Sequence, residues 1–121
     1  VILVDTSVWV DHLRAGDARL VDLLGQGLVA THDFIIGEIA CGSLRNRREI
    51  IALLSGLPRL DPITAAEALA FVDSHALMGR GIGYVDVCLL GAAVLAGTRL
   101  WSRDRRLATV AENLGCGWAP D

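Results

Sequence analysis

Four carboxylates in this sequence, Asp5, Glu38, Asp86 and Asp104, stand where an ordinary solvated acid has little reason to be. Asp5 closes the apolar run Val1-Ile2-Leu3-Val4, and Asp104 follows Thr98-Arg99-Leu100-Trp101-Ser102 closely. On a helix, Glu38 would have Phe34, Ile35, Cys41 and Gly42 as its three- and four-residue neighbours. Asp86 would have Leu89 and Leu90, with Ile82 just before its helix, and it is the only charge between Arg80 and Arg99. Burying an isolated carboxylate costs several kcal/mol or forces its protonation, so a charge in such a place needs a partner.

Taken singly, each acid also has an ordinary role. Asp5 and Asp104 could be N-caps, Asp86 could answer a helix dipole, and Glu38 could lie at a helix edge. Acids such as Asp11, Asp22, Asp73 and Glu112 read as solvated helix faces. The coincidence of two acids at strand ends and two on apolar helices favours one shared site. Converging carboxylates about 4 Å apart would repel by about 4 kcal/mol at an effective dielectric of 20, and a divalent cation is the natural remedy. Magnesium and manganese take oxygen ligands, which suits a carboxylate set. Such a centre suits phosphodiester hydrolysis. Ser102 could add a hydroxyl, and Thr6 could brace Asp5 or simply cap a helix. Asp5, Asp86 and Asp104 are the strongest ligand candidates, while Glu38 could instead serve proton transfer.

The elements that must position these acids follow from the hydrophobic pattern. Val1 to Val4 reads as a strand buried on both faces, followed by a helix from Thr6 and a second one capped by Asp17 and ended by Gly25 and Gly27. Residues 28–31 suggest another strand, then a helix from about Asp33 to Gly42. Asn46 with Glu49, and Thr64 with Glu67, resemble capping boxes, and residues 57–60 suggest a third strand. The helix from Thr64 would put Ala65, Ala68, Leu69, Val72 and Ala76 on one face and close at Gly79. Gly79 to Gly83 follows a helix rather than a strand, so it is a loop or close-approach segment and no dinucleotide fingerprint. Residues 85–96 form a helix apolar on every side, 98–102 a strand, Asp104 the start of a last helix, and 116–118 a terminal strand. Alternating strands and helices imply an α/β domain whose parallel sheet gathers function beyond its carboxyl ends.

Composition narrows the choice. At 53% hydrophobic and 21% charged residues, the 121-residue chain is a single globular domain over its whole length. All 11 basic residues are arginine, which removes Walker-A and Schiff-base chemistry. The net charge of −3 looks unsuited to nucleic acid, yet without the four acids the remaining charges nearly balance. Cys41, Cys88 and Cys116 lack metal or redox spacing and read as buried free thiols. His12, His32 and His75 are scattered and read as surface or interface residues. No apolar run approaches a membrane span and Val1 to Val4 leads straight into Asp5 without the basic start of a signal peptide, so the expected location is the cytoplasm. The start at Val1 without methionine suggests a residue or two before it.

The segment Leu3-Val4-Asp5-Thr6-Ser7-Val8-Trp9-Val10-Asp11 resembles the opening of PIN-domain proteins, specifically the VapC-type toxins of bacterial toxin–antitoxin pairs. Gly37-Glu38-Ile39, Tyr84-Val85-Asp86 with Leu90-Gly91-Ala92-Ala93, and Ser102-Arg103-Asp104-Arg105-Arg106-Leu107 continue the likeness in order. The departures are Ser102 for the commoner threonine and Leu107 for a frequent aromatic. The resemblance implies a single PIN domain over residues 1–121, built as a three-layer sandwich with a central parallel sheet flanked by helices. It implies a Mg²⁺- or Mn²⁺-dependent endoribonuclease with Asp5, Glu38, Asp86 and Asp104 as catalytic and metal-binding residues. Its partners would be RNA, a VapB-type antitoxin and a second copy of the chain. Receiver and haloacid-dehalogenase patterns fit poorly, since the first wants an acidic pair and a late lysine and the second an Asp where Ser7 stands. The other readings are a non-catalytic PIN module that binds RNA or protein, and a housekeeping PIN nuclease. Arg99, Arg103, Arg105 and Arg106 lie near Asp104 in sequence and could steer phosphates or be solvated helix arginines.

Overall fold

The computed structural model describes residues 1–120. A three-stranded parallel sheet in the order β2-β1-β3 is built from β1 (Ile2–Val4), β2 (Val29–Ala30) and β3 (Arg99–Trp101). Ile2 faces Val29 on one side and Arg99 on the other, and Val4 pairs with Trp101. All three β1 residues are buried although successive side chains point to opposite faces, so helices must cover the sheet on both sides. The chain leaves central β1 for β2 on one flank and returns to β3 on the other. Strand order therefore reverses at the carboxyl end of β1, immediately before Asp5.

Among the described residues seven helices surround the sheet: α1 (Thr6–Ala15), α2 (Ala18–Gly25), α3 (Asp33–Ala40), α4 (Arg47–Ser55), α5 (Ala65–His75), α6 (Tyr84–Ala96) and α7 (Arg105–Asn113). Each helix and strand contributes to one core cluster, with Leu3, Val8, Leu20, Ile35, Leu54, Ala68, Leu89, Leu100 and Ala111 all buried. No helix among the described residues is long and apolar enough to cross a membrane.

Several expectations need correction. Residues 57–60 and 116–118 each reduce to one bridge, Thr31 with Arg59 and Leu100 with Gly117. Pro58 lacks an N–H and offers only its carbonyl, to the Thr31 N–H, so pairing there cannot extend into a ladder. Asn46 makes no side-chain cap because its backbone is left-handed (φ 54°), whereas Thr64 and Glu67 do form the reciprocal box. Helix α5 ends before Ala76, itself left-handed, where the Leu77 N–H bonds back to the Val72 carbonyl and Leu77 turns into the core. Leu69, expected on the inward face, is exposed, as are Val94 and Leu95 of the apolar α6. Cys41 is exposed while Cys88 and Cys116 are buried. His32, expected at the surface, is buried, and its Nδ1 caps α3 by accepting the Phe34 N–H at 3.0 Å.

Candidate active site

Asp5 is the N-cap of α1 at the end of the central strand, and it is 6% exposed. One of its oxygens, Oδ2, accepts from Ser7 Oγ at 2.7 Å, Ser102 Oγ at 2.8 Å and the Ser7 N–H at 3.4 Å. Ser102 Oγ also receives the Asp104 N–H at 3.0 Å, and Ser7 Oγ receives the Arg103 N–H at 3.0 Å. Two hydroxyls thus tie the start of α1 to the β3–α7 turn across 95 residues of sequence, with their oxygens 3.4 Å apart.

Asp104 is the N-cap of α7, its Oδ1 accepting the Arg106 and Leu107 N–H groups at 3.0 and 3.2 Å. Asp86, in the first turn of α6, accepts the Gly83 N–H through Oδ2 at 3.2 Å. Glu38 on α3 accepts the Thr6 hydroxyl through Oε1 at 2.9 Å. The capping roles are therefore real, and they orient the acids rather than replace a site. Each of the four commits one oxygen to a protein donor. Among the described residues, the second oxygen of each accepts no protein hydrogen bond. Helix N-termini also favour anionic charge, so three caps concentrate it at this end of the sheet.

The charges sense one another. Burial holds the Asp86 carboxyl above its ordinary range, opposed by the Gly83 N–H and reinforced by the negative charges of Asp5 and Asp104. Asp5, Asp86 and Asp104 thus share one electrostatic neighbourhood, with Glu38 joined to it through Thr6, next in chain to Asp5. Among the described residues no three His, Cys, Asp or Glu side chains are gathered into a ready metal cage. Asp5 forms the buried floor, Asp86 is half-buried, and Glu38 and Asp104 are exposed at the rim. The donor set is all oxygen, negatively charged and provided with uncommitted lone pairs, which fits a hard divalent cation.

Ser7 is the residue the sequence reading missed. Its position two after Asp5, where an N-cap's side chain and the helix's first free N–H groups meet, was the available signal. Thr6 braces Glu38 rather than Asp5. Arg103 pairs with Asp11 (2.8 Å) and Asp17 and lies over the Trp101 ring, so it is not a free phosphate-steering cation. Arg99 enters β3 at the amino end, opposite the carboxylates. The Arg106 stem lies where a Cβ on Gly81 would be, 2.7 Å from Cδ, so the Gly79–Gly83 loop makes the close approach its glycines allow.

Residues 2–113 match the family model described as PIN domain. The chain is 46% identical over 121 residues to a protein named Ribonuclease VapC32 in two strains of Mycobacterium tuberculosis, covering 99% of this chain and 98% of that one. Among solved structures it is similar to PAE2754 from Pyrobaculum aerophilum (TM-score 0.65, 20% identity, 93% of this chain and 90% of that). It also resembles FitAcB from Neisseria gonorrhoeae (TM-score 0.64, 19% identity, 93% and 94%).

Proposed function

The chain belongs to the PIN-domain family and to its VapC branch, and from that membership we propose that it is an endoribonuclease, the toxin of a type II toxin–antitoxin pair. A VapB-type antitoxin neutralises it. The single observation that carries the catalytic reading is the Ser102 hydroxyl that ties Asp5, at the end of the central strand, to the backbone of Asp104 at the end of β3. Residues 1–121 act as one PIN domain, supported by the single core.

Asp5, Asp86 and Asp104 would hold the divalent cation, Mg²⁺ or Mn²⁺, and Glu38 would complete the set. When bound, the metal supplies Lewis acidity at the scissile phosphate and charge to stabilise the leaving oxygen. Ser7 and Ser102 orient Asp5 by saturating Oδ2, which leaves Oδ1 turned to its task. Glu38 is exposed and held by one hydroxyl, which suits it to taking or giving a proton at Oε2. The α5–α6 face, with Leu69 63%, Val94 38% and Leu95 70% exposed, supports a homodimer.

The test uses purified chain freed of antitoxin, incubated with RNA. Cleavage is expected with Mg²⁺ or Mn²⁺ and none with EDTA, with activity restored by adding the metal back. Sustained cleavage in EDTA would overturn the metal assignment. Sedimentation of the free protein should show a dimer that Leu95→Glu dissociates.

A further inference from the structure

Beside the carboxylates lies a cavity of about 460 Å³ that the four acids do not line. Its walls include Trp101, Ser102, Arg103, Glu112, Gly117 and Trp118. It is joined to the catalytic centre through Ser102, whose hydroxyl holds Asp5 at 2.8 Å while the same residue lines the cavity. Its volume falls in the roughly 300–1,000 Å³ range of small-molecule sites.

The chemistry of the walls selects the guest. Trp101 is 2% exposed, and its ring meets that of Trp118 edge-on, centroids 4.9 Å apart. Trp118 is only half-buried, leaving indole surface open to the cavity. The Arg103 guanidinium, 5.5 Å from the Trp101 ring, is pinned by Asp11 and Asp17 and is therefore a fixed flat surface. Asp11 and Asp17 already pair with the one guanidinium and Glu112 is a further acid in the wall, so the local balance is acidic, which disfavours a phosphate and admits a neutral ring. The segment packs tightly on α7: a Cβ on Gly117 would stand 3.0 Å from the Glu112 backbone nitrogen, so a larger residue there would push the cavity wall outward.

We propose that this cavity is a nucleobase subsite for a nucleotide flanking the scissile phosphate, with Trp118 stacking on the base and Glu112 accepting from an exocyclic amino group. Aromatic side chains stack on any base, whereas a carboxylate acceptor favours adenine, cytosine or guanine over uracil. The subsite rests on the ribonuclease reading, but its test does not depend on turnover.

AMP, CMP and UMP are titrated into the purified chain in EDTA, following tryptophan fluorescence, and RNA cleavage positions are mapped in parallel with metal. AMP and CMP should quench with an affinity about tenfold or more above that of UMP. Glu112→Gln should erase that preference in both assays. Trp118→Ala should weaken binding of all three by about tenfold or more, and Trp118→Phe should restore most of it, which separates stacking from a folding defect. If the parent cleaves RNA while Glu112→Gln leaves both the nucleotide order and the mapped base preference unchanged, the subsite is overturned and the reaction stands. If nucleotides bind as described but no RNA is cut, the ribonuclease reading falls and the cavity assignment holds. If Trp118→Ala abolishes antitoxin binding and no nucleotide quenches the parent, the cavity belongs to the antitoxin and the proposal fails.

Discussion

The two carboxylates at strand ends and the two on helices differ in how many donors hold them. Asp5 is nearly buried and takes three donors, and the hydroxyls that serve it also receive the backbone of Arg103 and Asp104. Asp104 takes two backbone donors. Glu38 and Asp86 each take one donor and depend on where α3 and α6 happen to be placed. The strand-end pair is thus held by more donors than the helix pair. Rigid preorganisation suits residues that hold an ion, while a loosely held, exposed carboxylate suits proton transfer.

The contrast can be broken by substitution. Asp5→Asn should lower RNA cleavage by about a thousandfold or more with an unchanged circular dichroism spectrum; a variant that cuts as fast as the parent would void the site assignment. Ser102→Ala should cost about ten- to a hundredfold, since outer partners tune metal ligands by that much. Thr6→Val, which releases only Glu38, should cost less than about tenfold, and a larger loss than that of Ser102→Ala would reverse the ranking of the two pairs.

Stability should separate the pairs in the opposite sense. Asp86→Asn removes a desolvated charge repelled by Asp5 and Asp104, so its thermal midpoint should rise by a few degrees even as activity falls. Asp5→Asn exchanges a carboxylate that accepts from two hydroxyls for an amide, so its midpoint should stay level or drop. Equal increases in both would show that the hydroxyl bonds to Asp5 contribute nothing.

The smallest effect concerns His32, outside both pairs. Burial holds its imidazole below the ordinary 6.5, with nearby Asp33 opposing. The unfolded chain therefore binds a proton before the folded one does, and stability falls as pH drops below about 6.5 toward the folded value. Melting curves between pH 7.5 and 5, on the order of the histidine range, should show a decline that His32→Asn flattens.

Local pattern revealed most of the elements because each rests on nearby residues. The run to Val4, the Asp17 and Thr64 caps and the apolar stripe of α6 are visible within a turn or a strand. The pairing at residues 57–60 and the Asn46 cap depart from the expectation because a missing proline N–H and a left-handed backbone override propensity. The burial of His32 and the exposure of Cys41 are set by packing, which spacing does not encode.

The four carboxylates were legible as misfits, charges in apolar surroundings that need a reason. Their division of labour was not. That Ser7 and Ser102 share one oxygen of Asp5, that Thr6 serves Glu38, and that Arg103 is bound to Asp11 and Asp17 are contacts between segments 32 to 97 positions apart. Sequence fixes which groups are available and which are out of place; only the parallel sheet, reversing its strand order at Asp5, decides which of them meet. The reason is range: capping and periodicity act over three or four residues, whereas hydrogen bonds and charge act over a few ångströms of space, and only the fold converts one into the other.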